Sequence, residues 1–311
     1  MGGSKENGTP LPSVPVNPRG DPVRDRGPRT MITVGDVGVA VLRDGGFSVD
    51  GGALFGVVPR FLWQQSDPPD EGNRVALALN VLLVETAGKR VLVDTGIGDR
   101  WAAKEIGLYK ISRETTLLGS LAERGLGPED VDVVVQTHLH FDHAGGSTRL
   151  VDGALRPTFP KARYVVQKGE WEDATRPHER NRASYRPDDF VPLAEAGQLD
   201  LVDGEAEVAP GVRVVPTGGH TRHHQIVVVD SGDGLLVPTD LLPTTSHLPL
   251  PYVMGYDLYP VGTLEAKRRL LAEAAERGSR ILFYHDRRRP LGRVRRQGDR
   301  YLLEEGSAHG S

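Results

Sequence analysis

Short apolar runs separated by turn residues dominate the hydrophobic pattern of this chain. In the first half, runs of Val, Leu and Ile predict strands at 31–34, 37–42, 75–85, 90–94 and 131–135. In the second half they predict strands at 164–167, 199–202, 212–216, 225–230, 235–237 and 281–284, and a terminal hairpin of 291–296 with 301–303. Helical spacing is found instead at 114–124, which Gly125 ends, and at 261–275, which Gly278 follows.

This order of elements places a β-rich run before a helix twice. The arrangement predicts two sheets packed face to face with helices outside, in a single domain from 31 to 305. Residues 1–30 mix prolines, glycines and charges and have too little apolar surface to offset the entropy of ordering, so we expect a flexible tail there. A second short tail is predicted at 306–311.

One Gly- and Pro-rich stretch, 45–73, departs from the composition of a solvated loop. It carries Phe55 and Trp63 together with other large apolar side chains. Two interpretations stay open, a loop that packs on the core and an apolar wall that covers an active site.

Composition narrows the classes of protein. The 311 residues are 38% hydrophobic and 26% charged, as in ordinary soluble proteins that bury a core. A formal net charge of -4 argues against a general grip on nucleic acid. The absence of cysteine excludes disulfides, zinc ribbons, cysteine nucleophiles and iron–sulfur clusters, so a metal must be held by His, Asp or Glu. No apolar run reaches the roughly 18 residues of a membrane span, and the cytoplasm is the expected location.

Potential metal ligands are most concentrated in the segment Thr137-His-Leu-His-Phe-Asp-His-Ala-Gly-Gly146, directly after a predicted strand. His138, His140, Asp142 and His143 are metal-ligand types brought close together by their spacing. Three further residues of this kind each follow another apolar strand, namely His220, Asp240 and His285. A single His or Asp after a strand is common, but the whole set predicts a metal centre.

The order His-x-His-x-Asp-His, a distant Gly-His-Thr, an Asp after an apolar strand and a final His resembles the metallo-β-lactamase superfamily, as does Val93-Asp94-Thr95-Gly96. The resemblance implies an α/β protein with a four-layer αββα sandwich and two metal ions at one edge. It implies that one ion is bound by His138, His140 and His220, and the other by Asp142, His143 and His285. It further implies that Asp240 bridges both ions, and that Asp94 and His224 support the ligands from behind.

Residue type narrows the metal without fixing it. Imidazole and carboxylate suit zinc, manganese, iron or cobalt, and zinc is the default. Two such cations can share a water and lower its pKa toward about 7, which would supply a bridging hydroxide as nucleophile. Asp240 and Asp142 are the expected catalytic carboxylates, with Asp142 or a water protonating the leaving group.

Departures from related families indicate the reaction. β-Lactamases of this superfamily lack the bridging aspartate, single-iron persulfide dioxygenases do not need His143, and flavodiiron proteins usually carry a glutamate in place of His140. The segments 250–257 and 283–286 resemble quorum-quenching lactonases and methyl-parathion-hydrolase-like enzymes. We therefore expect a hydrolase of small apolar esters or lactones, with arylesterase or phosphotriesterase side activity.

The sequence is less specific about the substrate pocket. The related lactonases place a tyrosine shortly after the bridging aspartate, whereas Leu241-Leu242-Pro243 stand here. Substrate contacts are expected instead from Phe55, Trp63, His247, Tyr252, Arg222 and His223.

Two other functions stay open. A glyoxalase-II-like thioesterase would need a basic surface, for which the arginines between 287 and 296 are the nearest candidates. An RNase-Z-like phosphodiesterase would use the same metal ligands, but the acidic balance argues against nucleic acid. The expected partner is a small molecule, with no nucleic acid and no membrane, and a homodimer stays open.

Overall fold

The computed structural model describes residues 31–304, so both predicted tails lie outside it and the predicted domain bounds stay a prediction. Within these residues the strands are β1 Ile32–Val34, β2 Val37–Asp50, β3 Arg74–Thr86, β4 Lys89–Val93, β5 Val133–Val135, β6 Thr148–Val151, β7 Ala154–Pro157, β8 Arg163–Gln167, β9 Leu199–Val202, β10 Ala206–Ala209, β11 Val212–Pro216, β12 Gln225–Val229, β13 Leu235–Val237, β14 Arg280–Leu282, β15 Leu291–Gln297 and β16 Arg300–Leu303. The α-helices are α1 Gly51–Phe55, α2 Arg60–Trp63, α3 Ala103–Tyr109, α4 Leu117–Ala122, α5 Phe141–Ala144, α6 Lys168–Thr175, α7 Val191–Glu195 and α8 Pro260–Arg277. None of these helices combines the length and apolar character that crossing a bilayer requires.

Two seven-stranded sheets form the centre of the fold. The first has the order β1-β2-β3-β4-β5-β8-β9 and the second β10-β11-β12-β13-β14-β15-β16. In the first sheet β4, β5, β8 and β9 run parallel, and in the second β13 and β14 do. A small hairpin of β6 and β7 stands apart.

Hydrophobic side chains lie in three layers, which is the packing of an αββα sandwich. Strand residues such as Val93 and Val237 fill the space between the sheets. A second cluster covers the outer face of the first sheet with α4 and α6, and a third packs α8, through Leu271, on the outer face of the second sheet. The predicted sandwich is therefore confirmed.

Strand β2 continues further than its sequence indicates. The apolar pattern predicts an end at residue 42, but the strand runs to Asp50 through an irregularity between Arg43 and Gly46. Gly45 has φ +74, and a Cβ there would lie 2.0 Å from the carbonyl oxygen of Ser112. Glycine is thus needed for the bulge, and the Gly-Gly pair marks a kink within a strand and not its end.

The C-terminal ends of several strands meet at one edge of the sandwich. β5 leads into α5 with its cluster of histidines, and β11, β13 and β14 precede His220, Asp240 and His285 in the second sheet. The site therefore receives side chains from both sheets.

Candidate metal centre

Seven side chains of the predicted ligand set converge at this edge. Three groups have their donor atoms within 4.8 Å of one another, namely His138 with His140 and His220, His138 with His143 and Asp240, and Asp142 with His143 and His285. All seven residues are buried. The structure thus brings together every residue that the sequence assigned to the two ion positions.

Several buried imidazole nitrogens of the cluster lack hydrogen bonds, as expected of residues that fit metal ions. The Nε2 atoms of His138 and His140 are buried and have no hydrogen-bond partner among residues 31–304, and that of His143 faces the carboxylate of Asp240 without a well-formed hydrogen bond. Buried polar atoms are nearly always paired. Imidazole nitrogens that converge unpaired, beside carboxylates, are the donor set of a divalent transition-metal ion.

Asp240 lies between the two outer groups. Its Oδ1 is 3.0 Å from the Nε2 atoms of both His143 and His285, while its Oδ2 is 3.1 Å from Nε2 of His220. One carboxylate therefore faces both ion positions with different oxygens. This geometry agrees with the bridging role that the family resemblance implies.

The charges of the cluster oppose one another. Burial raises the pKa of Asp240, but the neighbouring imidazoles of His143, His220 and His285 outweigh burial and hold that pKa well below its usual range. Burial and the neighbouring imidazoles hold the pKa of His138 well below its ordinary value, so this ring is a neutral donor. Neutral imidazole and ionised carboxylate are the forms that bind metal.

Asp94 supports the cluster from the first sheet. Its Oδ2 accepts hydrogen bonds from Nδ1 of His143 at 2.8 Å and from Oγ1 of Thr137 at 2.8 Å, and its Oδ1 accepts from the Thr137 backbone N–H at 2.7 Å. The bond to Nδ1 leaves Nε2 of His143 free to act as a ligand. Asp94 has φ +62, a left-handed conformation that aspartate tolerates better than most residues.

His224 supports the same region from the second sheet. Its Nε2 lies 3.0 Å from Oγ1 of Thr239, which in turn donates to Oγ1 of Thr137 at 3.2 Å. Thr239 has φ +42, an unusual conformation for a β-branched residue, and it directly precedes Asp240. His224 therefore helps to fix the backbone that presents the bridging carboxylate.

Two buried carboxylates behind the ligands were not assigned a role from the sequence. Asp257 lies with its Oδ1 2.7 Å from Nδ1 of His220. Glu170 accepts from the backbone N–H of Leu139 and from Oγ1 of Thr221. The resemblance of the segment 250–257 to lactonases is the sequence signal for Asp257, whereas Glu170 lies in an ordinary polar helix and has no such signal.

Aromatic side chains flank the centre. Phe141 contacts Trp101 and Tyr109 at ring-centroid distances of 5.3 Å and 5.4 Å, and all three are only partly buried. On another side, the ring of Tyr256 lies 6.2 Å from that of His220, and Tyr256 is 36% exposed. The surroundings of the cluster are thus apolar and partly accessible.

Three predicted substrate contacts need correction. Phe55, Trp63 and His247 are at most 1% exposed and stack on one another, with Phe55 in the middle. Both ring nitrogens of His247 have partners, Oγ1 of Thr244 at 2.8 Å and the carbonyl oxygen of Leu54 at 3.1 Å. After the end of β2 at Asp50, the stretch therefore forms α1 and α2, whose Phe55 and Trp63 pack in the core together with His247, and these three side chains offer a substrate no exposed surface.

The other predicted contacts lie nearer the surface. Tyr252 is partly buried and meets the edge of the Phe55 ring at 6.2 Å. Arg222 is exposed and donates to the hydroxyl of Tyr259 at 3.1 Å, while His223 lies 3.8 Å from Asp173. Their contact with a substrate stays a prediction.

The fold and this ligand set define a class of protein. The sequence profile of the metallo-beta-lactamase superfamily matches residues 75–285, and the chain belongs to this superfamily of metal-dependent hydrolases. The profile covers the ligand-bearing segments from Asp94 to His285.

Similar proteins are lactonases and other hydrolases. An N-acyl homoserine lactonase from Bacillus thuringiensis is 28% identical over 69% of this chain and 84% of its own length. A lactonase from Bacillus sp. is 29% identical, and the match spans 61% of that protein. The structure of a probable metal-dependent hydrolase from Staphylococcus aureus is 31% identical with a TM-score of 0.81, over 88% of this chain and 99% of that one. AidC, a dizinc quorum-quenching lactonase, shares the fold at 19% identity and a TM-score of 0.74, over 90% of this chain and 98% of that one.

Proposed function

We propose that this chain hydrolyses small, apolar lactones or esters at a centre that holds two divalent ions, with zinc as the default metal. The observation that carries the proposal is the position of Asp240, whose two oxygens face separate buried imidazoles, Oδ1 those of His143 and His285 and Oδ2 that of His220. The relatives named as lactonases support the lactone class. Phosphotriesters are proposed as side substrates.

Ions bound here would polarise the substrate carbonyl and lower the pKa of a water, which is the chemistry that hydrolysis needs. His138, His140 and His220 would hold one ion, and Asp142, His143 and His285 the other. Asp142 has the more accessible carboxylate, with 12% of its side chain exposed against 6% for Asp240. This greater exposure supports Asp142 as the group that would hold a proton for the leaving group.

The aromatic side chains support the preference for apolar substrates. Phe141 follows the ligand His140 directly, and its partly exposed ring continues into Trp101 and Tyr109. An acyl or aryl group that packs on these rings would be removed from water, which stabilises the complex by about 25 cal/mol per Å² of apolar surface.

Tyr256 is proposed to take the place of the tyrosine that is absent after Asp240. Although 36% of Tyr256 is exposed, desolvation within the site and the nearby Asp240, Asp142 and Asp257 raise the pKa of its phenol well above its ordinary value, so the phenol keeps its proton. A protonated phenol beside His220 is able to donate a hydrogen bond to the substrate oxygen where negative charge develops.

Metal analysis and a substrate screen test this function together. Purified protein should contain close to two divalent ions per chain, and Asp240→Ala should lower turnover by at least about a hundredfold while the protein stays folded. Lactones, aryl esters, thioesters, phosphotriesters and RNA should be compared at equal concentration. Fastest turnover of thioesters or RNA would replace the proposed substrate class, and undiminished hydrolysis by Asp240→Ala would refute the bridging role.

A further inference from the structure

Glu170 is a buried acid that the proposed reaction does not use. It lies in the first turn of α6 and is 1% exposed. Its carboxylate points toward the ligand-bearing loops, because every hydrogen bond that it accepts comes from them or from Tyr185. A buried carboxylate is costly unless its oxygens are paired, so its partners indicate its role.

The partners of Glu170 belong to segments that hold one of the two ion positions. Oε1 accepts from the backbone N–H of Leu139 at 3.1 Å, and Leu139 stands between His138 and His140. Oε2 accepts from Oγ1 of Thr221 at 2.7 Å, and Thr221 directly follows His220. One side chain thus joins a loop of the first sheet to a loop of the second.

A third bond completes the arrangement. The hydroxyl of Tyr185 donates to Oε1 of Glu170 at 3.0 Å. Tyr185 also forms a backbone bridge with His140, and the two rings lie 5.0 Å apart. The three donors to Glu170 are therefore neighbours, in sequence or in space, of His138, His140 and His220, which form the first ion position; Asp142, His143 and His285 form the second.

The negative charge of Glu170 also favours a cation at the first ion position. Its hydrogen bonds come from an amide and two hydroxyls, which carry no net positive charge. A cation held by His138, His140 and His220 would be the compensating charge that a buried carboxylate requires. The second ion position has a different support, since Asp94 bonds to His143.

We propose that Glu170 is a positioning residue that joins the His138–His140 loop to the His220 loop and so sets the affinity of the first ion position alone. The proposal rests on the two-ion centre proposed above. Supporting residues of this kind alter metal affinity by about 10- to 100-fold when removed.

Zinc binding by the full chain tests the proposal. Glu170→Gln keeps the shape of the side chain but removes its charge and turns one acceptor into a donor. The matched control is Glu172→Gln, an exposed acid of the same helix. During titration with a zinc chelator, Glu170→Gln should lose one ion at about tenfold lower chelator activity than wild type, while the second ion and both ions of the control stay as in wild type.

Two single-position variants identify which ion is affected. His285→Ala should retain the first position, so adding Glu170→Gln should weaken the remaining ion. His140→Ala should retain the second position, where Glu170→Gln should have no effect. If Glu170→Gln does not fold, Thr221→Val and Tyr185→Phe each remove one of its bonds and should show the same selectivity to a smaller degree.

Equal weakening of both ions, or none, would overturn the role of Glu170. A purely structural role would lower the thermal midpoint of the metal-free protein, whereas the proposed role lowers the gain in that midpoint on adding zinc. Wild-type protein that binds fewer than two zinc ions would instead refute the two-ion centre itself.

Discussion

Nδ1 of His220 lies 2.7 Å from Oδ1 of Asp257, and both side chains are buried. This bond fixes the ring so that Nε2 faces the cluster. Asp257→Asn should therefore weaken zinc binding by about 10- to 100-fold, because the amide orients the imidazole less strongly. Zinc titration of the variant measures this, with Asp299→Asn on the exposed terminal turn as control. Unchanged affinity would show that His220 is not a ligand or does not need this support.

Tyr256 should contribute to turnover and not to metal binding. Tyr256→Phe removes only the hydroxyl, so we expect kcat to fall by about 10- to 100-fold toward a lactone while the zinc content stays unchanged. Tyr301→Phe is the matched control, since Tyr301 lies in the terminal strand β16 and is not among the residues of the centre. Equal rates for the two variants would exclude Tyr256 from the reaction.

Asp44 should matter for stability. It is buried and accepts hydrogen bonds from the backbone N–H groups of Ile97 at 2.9 Å, Gly98 at 3.1 Å and Leu117 at 2.8 Å. The first two bonds hold the loop that follows Asp94, and the third holds the start of α4. Asp44→Ala leaves three buried donors unpaired, each costing about 1–3 kcal/mol, and should lower the free energy of unfolding by several kcal/mol in urea titrations. A loss below about 1 kcal/mol would contradict this.

Lys267 should make stability depend on pH. Its ammonium group donates to the carbonyl oxygens of Pro249, Leu250 and Tyr252, at 2.9, 3.3 and 2.7 Å. Burial lowers the pKa of Lys267 to about 7, with Asp257 acting in the opposite direction. Between that value and the unfolded pKa of about 10.4, the unfolded chain binds more protons, so stability rises with pH.

The matching variant is Lys267→Met. Relative to it, the wild-type free energy of unfolding should increase by about 2 kcal/mol from pH 7 to pH 9. Urea titrations at several pH values measure this difference. A constant difference over this range would show that the three carbonyl groups keep the ammonium protonated.

The convergence of the seven candidate residues was predictable from sequence because they follow apolar strands, and strand ends meet at the edges of a sandwich. The carboxylates that hold these residues from behind were not predictable, because Glu170 and Asp257 bond to residues 31 and 37 positions away along the chain. Phe55, Trp63 and His247 have the residue types of a pocket wall, but their burial depends on three segments stacking together. No local sequence pattern predicts the stacking of these three rings.

The candidate metal-binding residues come from both sheets, and this affects how the two sheets separate during unfolding. His138, His140, Asp142 and His143 follow the first sheet, whereas His220, Asp240 and His285 belong to the second. The chain contains no cysteine, so no disulfide ties these halves. Bound ions would act as reversible cross-links between the two sheets at one edge of the sandwich. Separation of the sheets at that edge would then require the ions to dissociate first.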